Sequence, residues 1–440
     1  MPVPRNNMKK NKNVIVLDIR NVNSNTQKKS ERGLLRSIGD TLIFSFIALV
    51  IGVVTGCIVS VFGIVLNKVT EIRQEYWYIL IPFLAVAGLV IVFIYDRFGK
   101  EIKSGMTLIL ERAKNNSSGI KLRLIPFVTL STWITHLFGG SAGREGVAVQ
   151  IGGTLGSFFS QKLSLKIPDT TKILTISGMA AGFGGLFRTP MAAIFFATEV
   201  LTEGTIEITA LLPSFVAAYS ASIVSGYFGL EKFTVALDAD PGTEPLTIAV
   251  LCFAAIIFGI TGGFFAYILK TCKKLFAGLI KNPYIRIVSA GVFVSAASLL
   301  LYAGRYSGLG TNLINDSFTG GDVYYWDFAI KFILTVITIS CGFQGGEVTP
   351  LFSVGATLGA VIAMIFGLPV PFVAALGYAA VFGAATNTVI APILIGAEVF
   401  GFEYLPYFFA VCVLSYVSNG NNSIYAYEKR KHKAHLIRIG

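Results

Sequence analysis

Apolar positions in this chain come in blocks. Long apolar stretches occupy 41–66, 78–95, 246–269 and 284–302, with a shorter one at 404–418. A helix needs about 20 apolar residues to cross the hydrocarbon core of a bilayer, so these blocks predict spanning helices. A second set is shorter or interrupted: 145–160, 173–186, 189–201, 349–367 and 371–400. Glycine and proline break these blocks, which predicts helices that cross only part of the membrane and are covered by protein. The first 36 residues are polar and predict a partly disordered tail. The first apolar run begins near residue 40 and is too long for the core of a signal peptide.

The blocks also recur. GREGVAVQIGGTLG (143–156) aligns without a gap on GEVTPLFSVGATLG (346–359), with Gly143 on Gly346, Gly152 on Gly355 and Thr154-Leu155-Gly156 on Thr357-Leu358-Gly359. GMAAGFGGLFRTPMAAIFFATEV (178–200) then aligns on GYAAVFGAATNTVIAPILIGAEV (377–399), ending in Glu-Val both times. Two matches in the same order indicate a duplication, roughly 37–229 and 246–418. The polar, proline-bearing segment 230–245 is the natural linker. Paired repeats with breaks in matching places point to a transporter whose site lies at the repeat interface.

Composition agrees with the pattern. Of 440 residues, 54% are hydrophobic and 14% charged, against about 25% charged in soluble domains. The chain reads as an all-α polytopic membrane protein. The net charge of +12 gathers at the ends, from Arg5 to Arg36 and in EKRKHKAHLIRIG (428–440). The positive-inside rule places both termini in the cytoplasm of a cell membrane, and no nucleic-acid partner is needed to explain them. Cys57, Cys252, Cys272, Cys341 and Cys412 have no ligand spacing. His136 is expected to be a satisfied packing residue. No metal or cofactor is predicted.

The candidate chemistry lies in the matched turns, GREGV (143–147) and GEVTP (346–350). Each runs into a helix whose N-terminus presents free N–H groups and partial positive charge. Two such ends meeting inside the membrane make an anion site. Pro350 suits a first helical turn. Glu145 sits beside that site, and its carboxylate is itself an anion. It can occupy the site when ionised and leave when protonated, linking proton uptake to anion occupancy. The plainer alternatives are that Glu145 caps a helix or pairs with Arg144.

These residues resemble the CLC family of chloride channels and anion/proton exchangers. GREGV is similar to that family's GREGP turn, with Val147 replacing proline. GEVTP is similar to its GxFxP turn, with Val348 replacing phenylalanine. The resemblance covers about 38–428 and implies the CLC fold: inverted repeats with broken helices meeting at a mid-membrane anion site, in a homodimer. It puts Glu145 on the external gating glutamate. The departures resemble the fluoride/proton antiporter clade. GMTLI puts Met106 where the family's serine stands, although the register KSGMT would keep Ser104. Glu347, Thr349 and Pro350 match that clade's second turn.

The resemblance implies anion contacts from Met106, Gly146, Val147, Val348, Thr349 and Tyr425, with Tyr427 as the other candidate tyrosine. Glu347 is a candidate proton relay or a cap. Val200 stands where many exchangers carry an internal proton glutamate, and the repetition of Glu199 as Glu398 suggests a structural role for both. The function implied is export of fluoride in exchange for protons, with a chloride-selective exchanger or channel as the alternative. The partners the resemblance implies are fluoride, protons, chloride and the lipid bilayer. No CBS domains are expected. An intramembrane protease is disfavoured: TGGD (319–322) lacks the first glycine of GxGD, and HExxH is absent.

Overall fold

A computed structural model describes residues 19–425 except 118, 203, 238–241 and 243, with side chains from residue 38. Tyr427, the C-terminal basic run and residues 1–18 lie outside the described residues. The chain divides into two compact units, Met1–Ile43 and Phe44–Gly440. The first is described from Ile19 as helical backbone, so the later part of the polar tail is helix where irregular chain was expected. No proline interrupts it. Every contact described below lies within the second unit.

The first half of the chain contains α1 (Ile19–Glu75), α2 (Trp77–Leu80), α3 (Leu84–Phe98), α4 (Met106–Lys114), α5 (Leu124–Leu137), α6 (Glu145–Leu163), α7 (Thr170–Phe187), α8 (Pro190–Glu199) and α9 (Leu211–Tyr227). The second contains α10 (Pro245–Leu279), α11 (Pro283–Leu300), α12 (Thr311–Thr319), α13 (Asp327–Ser340), α14 (Val348–Phe366), α15 (Val370–Thr386), α16 (Ile390–Phe400) and α17 (Leu405–Ser418). The only β-pairing among the described residues is an isolated antiparallel bridge between Gly143 and Gly346.

This is an integral membrane protein, almost wholly helical among the described residues. Stretches long and apolar enough to cross a membrane are Ile38–Glu75, Trp77–Phe98, Ile208–Tyr227, Pro245–Leu279, Pro283–Leu300 and Val348–Phe366. The last was expected to be shorter or interrupted. It is one continuous helix, and most of its side chains are buried in protein. The 371–400 block does split, at Asn387, whose φ of +59° ends α15 in a left-handed turn. Arg188 ends α7 in the same way at φ +57°.

The duplicated sequence gives duplicated packing. α6 lies against α7 as α14 lies against α15. A Cβ on Gly152 would stand 1.9 Å from the carbonyl oxygen of Gly178, and one on the aligned Gly355 2.1 Å from that of Gly377. Small residues at both crossings let the backbones touch, which is how helices associate where lipid supplies no hydrophobic drive.

Candidate functional site

The two glycine turns bond to each other. The Gly143 N–H donates to the Gly346 carbonyl at 2.5 Å, and the Gly346 N–H donates to the Gly143 carbonyl at 2.7 Å. This exchange brings the N-termini of α6 and α14 together. A Cβ on Gly346 would lie 2.8 Å from the Gly146 nitrogen, so the approach depends on glycine there.

Glu145 opens α6 and is completely buried. Its Oε2 accepts the Thr349 N–H at 2.9 Å and the Arg144 N–H at 3.0 Å. Its Oε1 accepts the Thr349 hydroxyl, and the Arg144 Nε lies 3.8 Å away. A carboxylate from one repeat therefore sits at the N-terminus of the other repeat's helix, where free N–H groups and the helix dipole favour negative charge. The two plainer readings left open by the sequence coexist: Glu145 caps α14 and lies beside Arg144. Arg144 extends past the turn, donating from Nη1 to Asn67 Oδ1 at 2.9 Å.

Below the turn is a cavity of about 290 Å³ with Ser104, Met106, Gly146, Glu347 and Tyr425 on its wall. Gly105, at φ +50°, precedes α4, and Met106 is the first helical residue. Both candidates for the family's serine position thus reach the cavity, and the helix starts at Met106. Lys103, Lys273 and Arg286 make the wall basic. Glu347 Oε1 lies 3.5 Å from Lys273 Nζ. Val147, Val348 and Thr349 are buried behind the turn and are not part of this wall. Tyr425 packs edge-on against Phe196, with ring centroids 6.1 Å apart. It also borders a neighbouring cavity with Lys270 and Lys274.

Two helix starts joined by paired glycine turns, with a carboxylate seated on one of them, form the arrangement expected of an anion pathway. A family model described as voltage gated chloride channel matches residues 87–420. The chain belongs to this CLC family. It is 33% identical over 391 residues to the chloride/fluoride channel protein of Pseudomonas syringae pv. tomato, covering 88% of this chain and 86% of that one. The fold superposes with a TM-score of 0.85 on the crystal structure of a CLC-type fluoride/proton antiporter. That structure is 46% identical, and the match covers 87% of this chain and 97% of the other. A slow cyanobacterial Cl⁻/H⁺ antiporter, 17% identical with a TM-score of 0.75, shares the fold.

Other polar residues of this CLC chain were not given their place by spacing. Glu199 accepts the N–H groups of Ile390 and Ala391 at 3.0 and 3.1 Å, at the start of α16. Glu398 accepts those of Met191 and Ala192 at 3.1 and 2.8 Å, at the start of α8. Each repeat caps a helix of the other. His136 differs from expectation. It is fully buried, its Nε2 lies 3.4 Å from the Gly143 carbonyl, and its Nδ1 has no hydrogen-bond partner. It sits where α5 runs into the Gly143 turn, so its ring serves that turn, and packing leaves its other nitrogen unanswered. Lys331 on α13 is also completely buried. A lone lysine in DFAIKFILTVITIS was the legible signal for it.

Proposed function

We propose that this chain is a fluoride/proton antiporter that exports cytoplasmic fluoride as protons move inward. The observation that carries the reading is the Glu145 carboxylate seated on the Thr349 N–H and hydroxyl. An ionised Glu145 excludes an anion from that place. A protonated Glu145 loses its hold there, and a fluoride ion takes the same donors. Fluoride is a small, hard anion with a strong preference for hydrogen-bond donors, and Thr349 supplies two. Val348 leaves the turn without an aromatic ring, and Met106 puts a thioether rather than a hydroxyl at the first position of α4.

In this reading Met106, Gly146, Val147, Val348, Thr349 and Tyr425 line the anion's route. Glu347 is a second proton-bearing group, beside Lys273. The repeats are 37–229 and 246–418 with 230–245 as linker, two copies form a dimer, and both termini are cytoplasmic. The 46% identity to a CLC-type fluoride/proton antiporter supports fluoride as the substrate. Hydrogen fluoride is a weak acid that crosses membranes neutral and dissociates inside, so an exporter driven by protons answers a standing hazard.

The test is fluoride efflux from proteoliposomes with external pH recorded, chloride run in parallel, and Glu145→Gln beside the parent protein. Fluoride efflux with protons moving the opposite way, uncoupled or lost in Glu145→Gln, is the expected result. Equal chloride efflux makes the protein a chloride exchanger. Anion flow without proton movement makes it a channel and removes the role given to Glu145.

A further inference from the structure

A second cavity, of about 320 Å³, has Trp77 on its wall. Tyr95 is on the wall of the Met106 cavity, and both residues belong to the Trp77–Phe98 span. The two cavities therefore lie toward opposite ends of one membrane-crossing segment. Arg73 lines the second cavity and is only 4% exposed. Its Nη1 donates to Ser307 Oγ at 2.9 Å. Among the described residues no carboxylate lies within ion-pair distance of it, so most of its N–H groups are left for something else.

The wall also carries Arg305 and Asp316, which neutralise each other at 3.1 Å. Arg305 is bound as well to Asp327, at 2.9 Å. Arg305 with its two carboxylates is net negative, and Arg73 is the guanidinium at this cavity with no carboxylate directly against it among the described residues. A second buried cation stands behind it. Lys331 donates to Gly308 O at 2.6 Å, Tyr306 O at 3.1 Å and Ser141 Oγ at 3.0 Å. Those three bonds use all the donors of an ammonium. Lys331 can therefore attract an anion only through its field. Ser307 and Gly308 are adjacent, so the two cations flank one dipeptide. The Gly308 carbonyl also accepts the Ala142 N–H at 3.3 Å, which ties this segment to the turn leading into Glu145.

Buried charge without a counter-charge is costly and usually marks a ligand or pathway. We propose that this cavity is a second anion site, built on Arg73 and backed by Lys331, that binds a small inorganic anion of the halide class. The geometry carries binding by itself. Its use as the station where exported fluoride waits before release rests on the antiporter reading.

Trp77 provides the probe. Trp133→Phe and Trp326→Phe leave it as the sole tryptophan of the full chain, which is then titrated with iodide in lipid nanodiscs. The expected result is saturable quenching that fluoride or chloride relieves. Arg73→Gln should weaken the apparent halide affinity about tenfold or more, the loss expected when charge-assisted hydrogen bonds are removed. Quenching that rises linearly with iodide and is not relieved by fluoride or chloride overturns the site. So does saturable quenching unchanged by Arg73→Gln. If Arg73→Gln does not fold, competition in the parent protein decides, together with Ser307→Ala, which leaves the guanidinium charge and retains saturable quenching. Saturable quenching in a protein that fails to exchange fluoride for protons keeps the site and removes its role in export.

Discussion

Thr349 gives Glu145 two donors at once, a backbone N–H that every substitution but proline keeps and a hydroxyl that one substitution removes. Thr349→Val keeps the shape and deletes the hydroxyl. A hydrogen bond to a charged group contributes about 1.5–3 kcal/mol, so the variant should exchange fluoride for protons about tenfold more slowly, while Thr349→Ser stays near the parent rate. Initial efflux rates from proteoliposomes read this directly, and equal rates for Val and Thr would show that the hydroxyl is idle. Glu145 and Thr349 were both legible, because a matched pair of glycine turns drew attention to them. Arg73 was not. It lies among Lys68, Glu71 and Glu75, and nothing in that spacing says which charge of the group is buried. His136 was legible as buried, but an unpartnered Nδ1 depends on what the opposing elements bring to it.

At the level of helices, Glu199 at the end of α8 and Glu398 in the last turn of α16 hold each other's helices by the N-terminus. The repeated Glu-Val pointed to a structural role for both, yet an alignment says which positions are equivalent and not which ones touch. That the caps cross between the repeats needed coordinates. Removing either carboxylate orphans two N–H groups and a favourable interaction with a helix dipole. Glu199→Ala and Glu398→Ala should each lower the apparent melting temperature by several degrees, with Glu→Gln intermediate because an amide oxygen still accepts. Fluorescence-detected size exclusion after heating measures it. Unchanged midpoints in both alanine variants would mean that the two clamps contribute nothing to stability. The block 349–367 ranks among the shorter or interrupted ones in the sequence pattern, and its glycines Gly355 and Gly359 are not breaks. In the fold they are contact points inside one helix, where α15 lies closest.

For the molecule as a whole, two cavities at opposite ends of the Trp77–Phe98 span give the chain two faces. Lys103, Lys273 and Arg286 line one, and Lys270 and Lys274 lie beside it. On the proposed topology the positive-inside rule would put that face in the cytoplasm. In a background free of the five native cysteines, Gln74→Cys should react with a membrane-impermeant maleimide added outside intact cells. Lys274→Cys should react only after the membrane is opened. The reverse pattern would turn the protein over and with it the proposed direction of export. The repeat, the breaks and the membrane class were legible in the sequence because they rest on local runs of residues. The cavities were not, since each is walled by segments far apart in the chain.

The Gly143–Gly346 bridge has one more consequence. An inverted duplication built from identical halves would present the same face to both sides of the membrane and would have no polarity. Here the axis of that symmetry runs between the bridged glycines, and the residues just after them break it. Arg144 is matched by Glu347, Glu145 by Val348, and Gly146 by Thr349. A cation opposes an anion, an acid opposes an apolar side chain, and a bare backbone opposes a hydroxyl. Gradients alone fix the net direction of a reversible exchanger, so mismatches such as these can bear only on how unequal the two faces are in affinity and speed. Exchanging the residues pair by pair would measure how much of the difference between inside and outside is written at the hinge of the duplication.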